Sequence, residues 1–293
     1  MTGADERVSE DDIDRLTGKV SRFGRDNRAG INHELHRISA IRNRAGHIIG
    51  VTMRVGRHFP GDCFVISDLL LQAEHKNKSI LVLGPPGSGK SSVIREIANT
   101  LAETQLVFVV DTSNEICGDG DVPHSCVGRA RRMMVPNIGQ QHDVMIECVQ
   151  NHTPDVIIID EIGRPTEALA ARTCKERGVR IIASAHGDFQ GLVNNNELHD
   201  LVGGVREVIY GDDVAKVKKS KIGRERAKNP TFDLIIEVKP KEYDTFVVIQ
   251  DVPRAVDNVL AGRPVKAQRR TRSLQPDGSG DEIQQLYFEF IHL

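Results

Sequence analysis

The chain has no tryptophan, and aromatic residues make up only 4% of its 293 positions. A surface that stacks many nucleic-acid bases on rings is therefore not expected. No apolar run approaches the length of a membrane span. The first residues, MTGADERVSEDDID, are acidic and lack both the apolar core of a secretory signal and the Arg/Ser bias of a transit peptide. A soluble, non-secreted protein is expected. The five cysteines, Cys63, Cys117, Cys126, Cys148 and Cys174, form no C-x-x-C pair, which points to reduced, buried thiols. Cys117, His124 and Cys126 are close in sequence, but their spacing fits no zinc template. A net charge of -2 selects no class of partner, and there is no clean internal repeat. Hydrophobic content of 39% and charged content of 27% describe a globular chain long enough for a full core.

What is present concentrates between Ser79 and Leu101. SILVL has the length of a buried strand. Gly84, Pro85, Pro86, Gly87, Ser88, Gly89, Lys90, Ser91 and Ser92 follow, and Gly84, Gly89, Lys90 and Ser91 match the phosphate-binding loop pattern G-x-x-x-x-G-K-[ST]. Val93, Ile94, Ile97, Ala98 and Leu101 then recur at helical spacing. Such a loop lets backbone N–H groups converge on a triphosphate, with the positive end of the helix behind them. Lys90 is expected to reach the β- and γ-phosphates, and Ser91 to offer its hydroxyl to Mg²⁺. ATP and Mg²⁺ are the ligands this predicts.

Strands alternate with helices through the middle of the chain, which predicts an α/β fold with a mainly parallel sheet. The predicted strands are 79–83, 106–111, 156–160, 179–187 and, as a fifth, 205–211, with helices at 139–151 and 165–177. Polar clusters end each of the first four: GPPGSGKS, DTSNE, Asp160–Glu161 and SAHG. Ligands of parallel sheets lie beyond the carboxyl ends of the strands. Asp160 is expected to hold Mg²⁺ through its water shell. Glu161 is the first candidate for polarising the attacking water and Glu115 the second. Ser184 and His186 are candidate sensors: Ser184 would read the γ-phosphate by hydrogen bond, and His186 would link nucleotide state to a neighbouring element. Arg129, Arg131 and Arg132, read as a Gly-flanked loop, are candidate arginine fingers toward a neighbouring subunit.

The remaining boundaries follow composition. Residues 1–30 read as a mobile lead-in and 31–78 as a hairpin plus a helix over 65–75. The nucleotide core is expected at 79–211. A basic segment with a second hairpin and a helix is expected at 212–265, and a flexible tail at 266–293. Lys216, Lys218, Lys219, Lys221, Arg224, Arg226 and Lys228 make the segment 215–228 a candidate for phosphate-backbone contact.

Together, LHRISAIRNRAG, the phosphate loop, VVDTSNEICGDGDVPHSCVGRARRM, HDVMIECVQNHTPDVIIIDEIG, EALAARTCKERGV, AHG, LVGGV and PTFDLIIEV resemble one family. It is the plastid and cyanobacterial hypothetical-ATPase family allied to the stage III AA sporulation ATPase, over about residues 30–265. That family is related to secretion and pilus-retraction motor ATPases. The resemblance implies a RecA-like core, ATP hydrolysis, a homo-oligomeric, commonly hexameric ring, and a cytoplasmic or plastid-stromal location. It also implies that Asp111 with Glu115 forms an acidic box and His186 a histidine box. Three departures stand out. Ser184 replaces a threonine before Ala-His-Gly. Arg164 and Pro165 replace an acidic stretch. The Arg-x-x-x-His signature of a C-terminal nucleic-acid-binding domain is missing from this tail. Three readings follow: an oligomeric motor or remodelling ATPase, a nucleotide-gated scaffold with little turnover, and a nucleic-acid-dependent ATPase.

Overall fold

The computed structural model describes residues 8–24, 26–58, 60–61, 63–212, 220–242, 244–276 and 282–293, with side chains left out within 273–285. Its centre is a nine-stranded sheet in the order β14-β13-β12-β11-β4-β8-β7-β5-β6. These strands are β4 (Ile80–Leu83), β5 (Val107–Asp111), β6 (Arg131–Met134), β7 (Val156–Ile159), β8 (Arg180–Ala185), β11 (Leu234–Val238), β12 (Thr245–Ile249), β13 (Lys266–Pro276) and β14 (Glu282–His292). The six strands from β11 to β6 run parallel, and β12 to β14 continue antiparallel. Every residue of β4, β5, β7, β8 and β11 is buried. Continuous Val/Ile/Leu runs such as VIII are what a strand covered on both faces requires.

Two apolar layers cover the sheet. On one face, α2 (Ser67–Leu71) and α3 (Lys90–Ala102) pack through Leu69, Leu70, Val93, Ile94, Ile97 and Leu101. On the other lie α4 (Gln141–His152), α5 (Pro165–Glu176), α6 (Phe189–Asn194) and the helix Val252–Leu260, here α7. Pro165 opens α5, and Glu167 accepts from the backbone of Gly163 and Arg164 to close its first turn. This is the α/β architecture with a mainly parallel sheet that the sequence implied.

Several boundaries differ from the sequence reading. The strand β9 (Val205–Ile209) does not enter the core. It pairs with β10 (Ile222–Arg226) as a separate antiparallel ribbon. β9 keeps its polar residues exposed, which a central position does not allow, and the four predicted core strands are joined in parallel by β6 and by β11, the latter beside β4. The core sheet therefore does not close within 79–211. Within RARRM, Arg131 to Met133 is strand rather than loop, because β6 adds to β5 in parallel register, while Arg129 stays in the turn before it. The expected helix at 65–75 is α2 flanked by two single 3₁₀ turns.

At the amino end, Glu10–Thr17 forms α1, whose Ser9–Asp12 capping box satisfies its first turn. β1 (Arg28–Gly30) joins β2 (Arg37–Arg42) and β3 (Ile48–Arg54) in a three-stranded sheet. At the carboxyl end, the expected tail is the β13–β14 hairpin. Arg270 anchors it, fully buried, with its guanidinium on both carboxylate oxygens of Asp68 and on the Val65 carbonyl. The Phe288 ring lies beneath that guanidinium at 4.8 Å.

Candidate functional site

The loop between β4 and α3 has the shape its glycines permit. Gly87 and Gly89 have φ of +76° and +97°, a region that disfavours side chains. A Cβ on Gly84 would stand 2.5 Å from Ser88 Oγ and 2.6 Å from the Val238 carbonyl, so position 84 admits only glycine. Gly89 is the N-cap of α3, and no side chain caps that helix. Its first N–H groups therefore point into the loop without a partner from the chain's side chains, an arrangement suited to phosphate oxygens. Ser88 Oγ is buried with no hydrogen-bond partner. Pro85 and Pro86 complete the turn, and Ser91 and Ser92 open the helix.

Lys90 is buried. Its ammonium donates to the carbonyls of Gly84 at 2.8 Å and Pro85 at 3.0 Å, and to His186 Nδ1 at 3.1 Å. His186 Nε2 is 3.1 Å from a Glu161 carboxylate oxygen. Since Lys90 can only donate, this network assigns the imidazole hydrogen to Nε2, where it is shared with Glu161. Burial lowers the Lys90 pKa, opposed by Glu161, Asp160 and Glu115.

Asp160 ends β7 and is buried. Its pKa is raised well above the usual carboxylate value, first by desolvation and then by Asp111, Glu115 and Glu161. Asp111, buried at the end of β5, is also raised by desolvation, although it accepts N–H bonds from Glu115, Ile116 and Cys117. Four carboxylates thus converge beyond the strand ends, and the cations Lys90, Arg95 and Arg132 face Asp160 or Asp111.

The sign of the stability effect follows. A raised folded pKa contributes its full stability below the unfolded value and loses it as pH climbs from there through the folded value. Asp160→Asn is therefore expected to raise the ligand-free Tm near neutral pH. The gain should vanish below about pH 4, and Mg²⁺ should no longer add stability. Thermal melts across pH, with and without Mg²⁺, measure all three.

Other positions differ from the sequence reading. Ser184 does not face open space; its hydroxyl donates to the Asp160 carbonyl at 2.5 Å. Glu115 carries a salt bridge from Arg37 at 2.5 Å, with Arg54 at 3.8 Å. Among the three arginines read as fingers, Arg131 lies over the Phe108 ring at 5.0 Å and Arg132 donates to the carbonyls of Gly118 and Gly120. Arg129 is exposed. Lys216, Lys218 and Lys219 lie outside the described residues. Lys221, Arg226 and Lys228 pair with Asp212, Asp257 and Asp200, and Arg224 donates to Asn194.

Sequence reading missed Arg37, Arg54, Arg95 and Gln141. The last is buried and ties the Thr112 hydroxyl to the Glu161 carbonyl. The period-two pattern of LHRISAIR marks Arg37 as an arginine on a strand, but only the pairing of the sheet shows which way it faces. An open cleft of about 980 Å³ lies between the amino-terminal sheet and the first turns of α3. It is lined by Arg37, Arg54, Ser91, Ser92, Arg95, Thr112 and Glu115, among others. All five cysteines are buried, and no metal-holding group of His, Cys, Asp and Glu occurs among the described residues.

The family described as sporulation stage III, protein AA matches residues 32–219. Uncharacterized protein ycf45 of Porphyra purpurea is 48% identical over 269 residues, 90% of this chain and 46% of its own length. Protein SEEDLING PLASTID DEVELOPMENT 1 of Arabidopsis thaliana is 48% identical over 264 residues, 89% of this chain and 38% of its own. The chain thus spans less than half the length of these two relatives. Among solved structures, the Legionella pneumophila ATPase DotB aligns with a TM-score of 0.43 and 16% identity, covering 93% of this chain and 63% of that one. The pilus retraction motor PilT with bound ADP aligns with a TM-score of 0.43 and 13% identity, covering 88% and 60%. No helix among the described residues is long and apolar enough to cross a membrane.

Proposed function

The chain belongs to the sporulation stage III protein AA family, and from that premise we propose that it binds and hydrolyses ATP with Mg²⁺, as an oligomeric motor or remodelling ATPase. The observation that carries this reading is the convergence on one loop. The uncapped N-terminus of α3, Lys90, the carboxylates of Asp111, Glu115, Asp160 and Glu161, and His186 belong to four separate chain segments. A structural turn has no need of that charge arrangement.

In this reading the loop 84–89 and Lys90 hold the phosphates, and Ser91 with Asp160 would hold Mg²⁺, which shields charge on the phosphates when bound. Glu115 orients and deprotonates the attacking water. Its place in the cleft beside Ser91 and Ser92 favours it, with Glu161 as the alternative base. Arg37 and Arg54 bring positive charge to the same cleft from within the chain. Arg129 is the remaining candidate to reach a neighbouring copy. His186 reports the phosphate state, because γ-phosphate and its Nδ1 compete for Lys90. Ser184 steadies Asp160 from behind. Assembly as a homo-oligomer, with a hexameric ring as the specific form, belongs to this reading. A plastid-stromal or cytoplasmic location belongs to it too, in line with the name of the plant relative.

Phosphate release from ATP by the purified chain tests the proposal. Turnover should require Mg²⁺ and stop on chelation with EDTA. Tight ATP binding without phosphate release would favour the second reading, a nucleotide-gated scaffold. That reading draws on the fact that Lys90 is already latched by Gly84, Pro85 and His186. The nucleic-acid-dependent reading draws less support, since the described cations of the basic segment have partners within the chain.

A further inference from the structure

We infer that Arg95 is a positioning residue for Glu115, holding the acidic loop in register with the phosphate-binding helix; this rests on the proposal that Glu115 activates water. Arg95 lies on α3, one turn beyond Ser91, and is buried. Two of its N–H groups, Nε and Nη2, donate to the Glu115 carbonyl at 3.0 and 2.9 Å. A third nitrogen, Nη1, donates to the Arg57 carbonyl at 3.0 Å and to Ser92 Oγ at 3.4 Å. One guanidinium thus joins the first turn of the phosphate-loop helix, the loop that carries Glu115, and the chain that returns from the amino-terminal sheet.

The geometry is specific to arginine. A planar fork can place two N–H bonds on one carbonyl and a third elsewhere, and an ammonium cannot hold the same three partners in those directions. The charge of Arg95 also faces Asp111 and Asp160. A role limited to neutralising those carboxylates would be kept by lysine. A positioning role would not. Arg37 holds the Glu115 carboxylate and Arg95 holds its backbone, so the residue is fixed at both ends. That pre-set orientation is what a water-activating group needs.

The test is a double-mutant cycle on the full chain with Arg95→Lys and Glu115→Gln, read as kcat and KM for ATP, together with the affinity for a non-hydrolysable ATP analogue. Arg95→Lys should lower kcat by about 10–100-fold, the loss of charge-assisted hydrogen bonds. Analogue affinity should stay within about twofold, because the phosphate contacts are untouched. In the Glu115→Gln background, Arg95→Lys should lower kcat no further. An equal loss in both backgrounds, or a loss of analogue affinity in place of kcat, overturns the inference and leaves the role of Glu115 standing. If Glu115→Gln alone keeps full turnover, the water-activating role falls, and this inference with it. Amide exchange over 112–117 gives a second readout in ligand-free protein, and should quicken in Arg95→Lys. Should that variant not fold, Arg95→Gln, which keeps one donor for the Glu115 carbonyl, reads the same cycle.

Discussion

Lys90→Ala is expected to abolish measurable ATP turnover, a loss of about 10³-fold or more in kcat/KM, while the protein stays folded. Removing a single preorganised donor from a developing oxyanion costs roughly 10²–10³-fold, and Lys90 is in addition the cation of the loop nearest the β- and γ-phosphates. The fold should survive because Lys90 is a burdened residue in the ligand-free protein. Its charge is partly desolvated and its pKa lowered. The carbonyls of Gly84 and Pro85 that it serves lie at the loop, where water can replace it. Near-UV circular dichroism and Tm should match the parent, and phosphate release should fall to background. A variant that keeps turnover would remove the loop from the chemistry.

The second large effect separates two carboxylates. Glu115→Gln is expected to lower kcat by about 10²–10⁴-fold, the usual contribution of a positioned base, with little change in nucleotide affinity. Glu161→Gln is expected to cost about tenfold, the equivalent of one hydrogen bond. Glu161 acts through His186 Nε2 on the ring whose Nδ1 holds Lys90, and glutamine can still accept that bond. Single-turnover phosphate release with both variants measures the difference. The reverse order, with Glu161→Gln the dead variant, would exchange the two roles.

Much of this was legible in the chain. The phosphate loop could be placed because its strand, glycines and helix are contiguous, so local spacing carries the whole motif. The convergence of DTSNE, Asp160–Glu161 and SAHG was legible because parallel strands send their carboxyl ends to one side. What was not legible depends on pairing between distant segments. VREVI and LIIEV are both short and rich in β-branched residues. Only burial on both faces distinguishes β11 from β9. RARRM read as a loop because a polar edge strand has no apolar signature, and Arg132 spends its donors on the Gly118 and Gly120 carbonyls. Arg95 and Gln141 were invisible for a related reason. A buried polar residue within a helix looks like a solvated one until its partners, 20 residues away or more, are known.

The placement of β11 beside β4 also sets an order of events during synthesis. Ser79 and Asp233, which flank the two strands, are 154 residues apart in the chain and joined by a 2.8 Å hydrogen bond. At common ribosomal rates the phosphate-loop strand waits roughly 8–30 s for its neighbour to emerge. Throughout that interval one edge of β4 is unsealed, and the nascent polypeptide presents a bare strand to whatever surrounds the exit tunnel.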